Sequence, residues 1–111
     1  MNLQLGVLEE IVLLILLSQD HTYGVEIAKT YEEQFEQTIS LPAIHVVLKR
    51  LEKKGLVKSE MGEPTAERGG RRKRLYRATQ EGFKIAYELK EKRNNLWQAI
   101  PGFNFQSLIP S

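Results

Sequence analysis

The sequence contains no cysteine and only two histidines, His21 and His45, among its 111 residues. Disulfide bonds and thiolate metal sites are therefore excluded, and two histidines so far apart do not indicate a zinc site. The longest purely apolar run, residues 11–17, is too short to cross a bilayer. Two acids precede that run where a signal peptide would carry basic residues. We therefore expect a cytoplasmic protein without a metal or a cofactor.

Positive charge is concentrated in one stretch of the chain. The net charge is only +2, yet residues 68–77 carry six basic side chains, which are Arg68, Arg71, Arg72, Lys73, Arg74 and Arg77. The other ten basic residues stand against fourteen acidic ones, so the remainder has a net charge of −4. A charged run of this kind is usually a solvated loop, and its meaning depends on the structure that carries it.

Apolar periodicity predicts four helices, over residues 5–20, 21–35, 40–55 and 80–100. The first is apolar on more than one face and must be covered on more than one side. The second has Thr22 as its expected cap, and its expected inward residues are Val25 or Ile27, Ala28, Tyr31 and Phe35. The third has Ser40 as N-cap and Gly55 just after its end. Its expected core stripe is Leu41, Ile44, Leu48 and Leu51, with Val47 beside it.

The fourth predicted helix carries two apolar stripes after a capping residue, Thr79. One stripe comprises Ile85, Leu89, Leu96 and Ile100, and the other comprises Phe83, Ala86, Tyr87 and Trp97. A helix with two apolar stripes is expected to contact two bodies.

Residues 56–62 and 72–78 are predicted strands that flank a turn rich in glycine, with Pro64, Gly69 and Gly70. Three helices, a hairpin and a final helix form the layout of a winged helix-turn-helix, with the third helix for recognition and the hairpin as the wing. The predicted fold class is mainly α with a small β-hairpin. We expect a winged helix-turn-helix DNA-binding domain over residues 1–79. Residues 80–111 would form a carboxy-terminal dimerisation helix and short tail.

Four segments resemble the PadR family of bacterial transcriptional regulators. They are LEEIVLLILL (8–17), YGVEIAK (23–29), RLEKKGLV (50–57) and GGRRKRLYRATQEG (69–82). The last is the most specific, since it joins a double glycine, a basic run, a tyrosine and Thr-x-x-Gly. The resemblance covers roughly residues 3–90 and indicates the small class that lacks a large carboxy-terminal domain. It implies a homodimeric repressor that binds a palindromic double-stranded DNA operator.

The recognition helix and the wing together provide the predicted DNA contacts. The predicted DNA-binding residues are Ser40, Pro42, Ala43, His45, Val46, Lys49, Arg50, Arg68, Gly69, Gly70, Arg71 and Arg72. The family usually has a tyrosine at the position of His45, often near the DNA backbone, and a histidine there can still donate to a phosphate. Arg50 and Glu52 could equally form an ion pair within the domain.

The resemblance also implies residues for dimerisation and for an effector. The predicted dimer-interface residues are Leu5, Leu8, Val12, Ile85, Leu89, Leu96, Trp97 and Ile100. A small aromatic effector at that interface is predicted to contact Leu8, Val12, Ile15 and Trp97, as in small members that bind planar aromatic compounds there.

Three other interpretations remain open from the sequence. The first is a winged-helix module that acts mainly through protein–protein interaction, and the second is a ligand sensor with weak DNA binding. The third is an enzyme, but "GGRR" is not a phosphate-binding enzyme motif and no nucleophile–histidine pattern is present. We therefore expect a regulator without catalytic residues.

Overall fold

The mainly helical fold class with a small β-sheet is confirmed. A computed structural model describes residues 5–62 and 73–102. In chain order its elements are α1 (Val7–Ser18), β1 (Thr22–Tyr23), α2 (Gly24–Phe35), α3 (Leu41–Lys53), β2 (Val57–Met61), β3 (Arg74–Ala78) and α4 (Gln80–Gln98).

Both ends of α3 form as the sequence predicts. The Ser40 hydroxyl accepts a hydrogen bond from the Ala43 N–H at 3.2 Å, which satisfies one of the unpaired donors of the first turn. Pro42 lies within that turn, where backbone N–H groups have no helical acceptor, so the missing N–H of proline costs no hydrogen bond. Gly55 has φ of +78°, the left-handed conformation that ends a helix and that glycine adopts without strain.

The start of α4 is tied to the end of α3 through Thr79. Its hydroxyl accepts from the Gly82 N–H at 3.0 Å and donates to the Gly55 carbonyl at 2.8 Å. A Cβ added to Gly82 would lie only 2.4 Å from the Leu56 carbonyl oxygen. The Thr-x-x-Gly motif therefore caps the helix and allows it to approach the backbone of the preceding segment.

The core lies where α1, α2, α3 and the sheet meet. Its largest fully buried side chains come mainly from α1 and α3, and they are Leu13, Leu16, Ile27, Ile44, Leu48, Leu51, Val12 and Val57. Burial of such side chains is the main stabilising contribution, about 1.5–3 kcal/mol for each.

The segment before α2 differs from the prediction. Thr22 does not cap the helix, because it belongs to β1 and pairs with Tyr76 of β3. The N-cap of α2 is Tyr23, without a side-chain cap hydrogen bond. The sheet therefore has three strands in the order β1-β3-β2, with β3 in the centre. A two-residue strand leaves no alternation for sequence analysis to detect.

Several predicted core positions are exposed. In α2, Ile27 is buried and Val25 is exposed, and Phe35 is also exposed. Leu41 at the start of α3 is likewise exposed, whereas the rest of the predicted stripe is buried. In α4 the two predicted stripes are divided differently, since Ile85 and Ala86 are buried together while apolar residues of both stripes remain exposed.

Two buried glutamates of α1 form ion pairs with different parts of the fold. Glu9 Oε2 accepts from Lys54 Nζ at 2.7 Å, just after α3. Glu10 accepts two hydrogen bonds from the Arg93 guanidinium of α4, at 2.6 and 3.2 Å. Adjacent carboxylates of α1 thus connect it to both α3 and α4.

Candidate nucleic-acid interface

The face of α3 that points away from the core is polar and accessible. His45 and Lys49 are exposed and lie one turn apart, and the Val46 side chain is 51% exposed. At the start of the helix Ser40 and Pro42 are exposed as well. An exposed face with histidine, lysine and one aliphatic side chain suits a major groove, where base edges offer acceptors and thymine offers a methyl group.

Two other predicted residues of α3 lie less favourably. Ala43 is half-buried. Arg50 is exposed, and it is near enough to Glu9 of α1 for its charge to help lower the pKa of that carboxyl. The Arg50 charge therefore influences α1. Among the described residues, no ion pair joins Arg50 to Glu52.

The His45 ring is held between two neighbouring elements. A Cβ added to Gly24, the first residue of α2, would lie 2.9 Å from His45 Nε2. On its other side His45 contacts Tyr76 of β3 edge to face, with ring centroids 6.4 Å apart. The ring position therefore depends on a glycine at position 24.

Tyr76 is buried on the central strand of the sheet. Burial raises the pKa of its hydroxyl; the charge of Arg74 opposes this rise and that of Glu52 adds to it. Tyr76 is therefore a neutral packing residue that supports His45.

A short chain of hydrogen bonds joins the wing strands to α3. Arg74 Nη1 of β3 donates to Ser59 Oγ of β2 at 3.1 Å. The same hydroxyl donates to Glu52 Oε2 of α3 at 2.6 Å. Glu52 is thus engaged by the wing, and the relay fixes where the Arg74 guanidinium stands relative to the helix.

Between α3 and β3 lies a cleft of about 450 Å³, lined by His45, Lys49, Glu52, Arg74 and Tyr76. We call it the wing–helix cleft. Two cations and one carboxylate line it, so its net charge is positive.

The remaining predicted DNA contacts lie outside the described residues. Arg68, Gly69, Gly70, Arg71 and Arg72 belong to residues 63–72, the connection between β2 and β3. Those two strands pair antiparallel from Val57 opposite Ala78 to Met61 opposite Arg74.

A second candidate site lies between α1 and α4. A groove of about 490 Å³ is lined by Glu10, Leu14, Leu17, Phe83, Ala86, Tyr87, Lys90, Arg93, Asn94 and Trp97. We call it the apolar groove. Phe83 and Tyr87 stack along it with ring centroids 6.2 Å apart, and Lys90 Nζ lies 5.8 Å from the Tyr87 ring centre. Aromatic faces beside a lysine and a glutamate–arginine pair suit a planar aromatic molecule.

The structure separates the residues predicted for dimerisation and for the effector. Leu96 and Trp97 are exposed on α4 and Ile100 is exposed just after its end, and Trp97 lines the apolar groove. Leu5, Leu8 and Leu89 are half-buried against the core. Val12, Ile15 and Ile85 are buried within the same subunit, so they offer little or no surface to a partner or to a ligand in the groove. The reason is that the most continuous apolar face of α1 packs against the core of its own subunit.

Sequence reasoning missed several residues of these sites. Ser59 was not singled out, and Arg74 was named in the basic cluster but not among the DNA contacts, although β-strand alternation places Arg74 on the same face as Tyr76. Phe83 and Tyr87 were assigned to a stripe but not to a site. The Glu10–Arg93 pair has no sequence signal, because its members are 83 positions apart in the chain.

Two further observations concern residues 5–62 and 73–102. No helix there combines the length and apolarity required to cross a membrane. The same residues contain no cluster of three histidine, cysteine, aspartate or glutamate side chains positioned to hold a metal ion.

Comparison with known proteins places the chain among transcriptional regulators. The family model "Transcriptional regulator PadR-like family" matches residues 12–88. A transcriptional regulator from Clostridium thermocellum is 30% identical, with 88% of this chain and 90% of that chain covered and a TM-score of 0.70. No match was found among proteins with curated functions.

Two more distant structures share the fold. A PadR-like transcriptional regulator from Bacillus cereus is 24% identical, with 86% and 88% of the two chains covered and a TM-score of 0.69. A PadR family transcriptional regulator from Eggerthella lenta is 23% identical, with 81% and 77% covered and a TM-score of 0.67. The winged-helix interpretation of α1 to β3 is thereby confirmed.

Proposed function

The chain belongs to the PadR-like family of transcriptional regulators, and on that premise we propose that it is a homodimeric repressor of transcription. Membership makes it a DNA-binding regulator and not an enzyme. The proposal adds that two copies bind a palindromic operator and exclude other proteins from a promoter. It also adds that a small aromatic molecule in the apolar groove releases the DNA.

One observation carries the DNA-binding part of the proposal. The exposed face of α3, with His45, Val46 and Lys49, stands beside the wing strands whose connection contains the arginine cluster. In this proposal α3 enters a major groove, and Arg68, Arg71 and Arg72 bind flanking phosphates. Gly69 and Gly70 allow the backbone to approach the DNA closely.

Dimerisation is supported by the exposed apolar residues of α4. Leu96 is 72% exposed and Trp97 is 54% exposed, and Phe83, Tyr87 and Ile100 are exposed as well. Every residue from 91 to 100 is exposed in the single subunit. An apolar helical face of this kind marks an interaction surface, and a second copy would cover it symmetrically. Residues 80–111 would then act as the dimerisation element.

The effector part rests on the apolar groove. Its aromatic residues lie on the same helix as the proposed dimer contacts, so a molecule bound there could change how the two subunits are spaced. Trp97 is the single tryptophan of the chain and lines this groove, so its fluorescence would respond to a molecule bound there. Quenching by planar aromatic compounds, together with weaker DNA binding, is the expected result.

The repressor proposal is tested by fluorescence anisotropy on labelled duplex DNA from upstream of the protein's own gene. A scrambled duplex of equal composition and a salt series complete the design. If a dimer neutralises about 6–10 phosphates, affinity should fall by roughly a thousandfold or more between 50 and 200 mM salt. Equal, weak binding to both duplexes would contradict sequence-specific regulation by this chain.

A further inference from the structure

The wing–helix cleft brings together two cations from different elements of the fold. Lys49 of α3 and Arg74 of β3 line it from opposite walls, with the buried Tyr76 among its lining residues. Both basic side chains are exposed, so their donors can reach an incoming group.

Arg74 is oriented before anything binds. One of its five N–H donors is used on Ser59, and Ser59 is in turn held by Glu52. The remaining donors of the planar guanidinium suit an anion with two oxygens. Because Glu52 belongs to α3, the relay fixes the wing cation relative to the recognition helix.

The single acid in the cleft does not cancel its attraction for anions. The Glu52 carboxylate accepts the Ser59 hydroxyl at 2.6 Å, which places that hydroxyl between the carboxylate and Arg74. Two cations against one carboxylate leave the cleft positive, and the His45 imidazole adds a further polar group.

We infer that the wing–helix cleft is a binding site for a single phosphate group, clamped by Lys49 and Arg74 at the junction of helix and wing. The inference rests on the proposed function, in which that phosphate belongs to the DNA backbone beside the groove occupied by α3. A free phosphate anion has the same chemistry and is the other source to be tested. Ser59 and Glu52 are positioning residues in this site.

The strand itself provides a matched control. Arg77 lies three residues after Arg74 on β3, is exposed, and faces the opposite side of the sheet, where it lines a separate surface with Lys58 and Glu60. Arg74→Gln and Arg77→Gln each remove one positive charge from one strand. Any difference between them therefore reports on the cleft and not on net charge.

The test uses the upstream duplex with one backbone phosphate at a time replaced by an uncharged methylphosphonate. At one position in each half-site, the wild-type protein and Arg77→Gln should lose affinity on the order of tenfold, as expected for a charge-assisted contact. Arg74→Gln should bind more weakly to native DNA and should lose nothing further at that position. Ser59→Ala should show a smaller effect at the same position and none elsewhere.

If Arg74→Gln and the wild-type protein lose the same affinity at every methylphosphonate position, the cleft does not bind a DNA phosphate. The comparison with scrambled DNA would still decide the proposed function. Inorganic phosphate, titrated without DNA at constant ionic strength, tests the other source. If it raises the melting temperature of wild-type protein and Arg77→Gln but not of Arg74→Gln, while the DNA profiles are identical, the cleft binds a free anion. Failure of both arms would refute the phosphate site.

Discussion

The two exposed faces of this molecule differ in what they require to be complete. The face built from α3 and the wing is polar, and its side chains are oriented by a cap at Ser40 and by the Glu52–Ser59–Arg74 relay. The face along α4 is apolar and aromatic, with Leu96 and Trp97 exposed. A polar face can remain hydrated when unoccupied, whereas exposed apolar surface has a continuing cost in water. We therefore expect transient occupancy of the first face and permanent coverage of the second.

Helix α1 connects the two faces. Glu9 binds Lys54 at the end of α3, and Glu10 binds Arg93 of α4. Both carboxylates are buried while Lys54 and Arg93 are exposed, so each ion pair is partly shielded from salt. A change in the position of α4 would therefore act directly on α1 through the Glu10–Arg93 pair.

The largest expected effect comes from placing a charge on the α4 face. Leu96→Asp should weaken dimerisation by about two to three orders of magnitude, because the carboxylate would be buried without a partner. DNA binding should fall with it, because the half-sites would be occupied independently. Sedimentation velocity over a concentration series measures the dimer dissociation constant.

Asn95→Asp is the matched control, since it introduces the same side chain at the neighbouring exposed position but removes no apolar surface. Unchanged dimerisation in Leu96→Asp would mean that the apolar face of α4 has another role.

A smaller effect, confined to the opposite face, is expected from Arg71→Gln/Arg72→Gln. Loss of two phosphate contacts should lower the slope of log affinity against log salt by up to about 1.8 per subunit. Dimerisation should not change. Lys84→Gln/Lys92→Gln removes the same charge from exposed positions of α4 and should leave the slope nearly unaltered. Equal slopes for the two double variants would point to a protein partner for the wing.

A further test concerns the fit of His45 against α2. Gly24→Ala places a methyl group where the His45 ring now lies, so the ring must shift. Specific DNA affinity should fall roughly three- to tenfold, in the range of about 1 kcal/mol for one displaced side chain. In a His45→Ala background the same substitution should have no effect on DNA binding. A Gly24→Ala penalty that persists without His45 would show that the glycine serves another purpose.

The smallest expected effect is on stability and its pH dependence. Burial raises the pKa of Glu9, but hydrogen bonds from Lys54 and from the Gly6 N–H, with the charges of Lys54 and Arg50, bring it below the usual 4.5. Because the pKa is lowered on folding, the ionised Glu9 stabilises the folded state at pH values above 4.5. This stabilisation is lost as the pH falls through the pKa that Glu9 has in the folded state. Glu9→Gln should cost about 1 kcal/mol of unfolding free energy at neutral pH, and the difference should narrow in acid.

Urea unfolding from pH 7 to pH 3 measures this difference, with Glu33→Gln on the exposed side of α2 as control. A constant difference across that range would show that the Glu9 charge does not contribute to stability.

Features that depend only on neighbouring residues in the chain could be predicted from the sequence. The caps at Ser40 and Thr79, the glycine at position 55 and the wing strands follow from turn chemistry and periodicity, and they formed as predicted. The short strand β1 could not be predicted, because only its pairing with β3 creates it.

The candidate sites show the same limit. The exposed face of α3 follows from helical periodicity, so His45 and Lys49 could be identified early. Val12 and Ile85 could not be distinguished from interface residues, because periodicity shows that a face is apolar but not which body covers it. The Glu52–Ser59–Arg74 relay depends on side chains brought together by the fold, and no spacing in the sequence indicates it.

The central claim is that one face binds DNA specifically while the other joins two copies. Sedimentation velocity of the protein with a labelled upstream duplex, beside a scrambled duplex, tests both parts in one experiment. We predict a complex of two subunits per upstream duplex, a dimer in the absence of DNA, and far less complex on the scrambled duplex. A single subunit on the DNA, or equal binding to both duplexes, would contradict the claim.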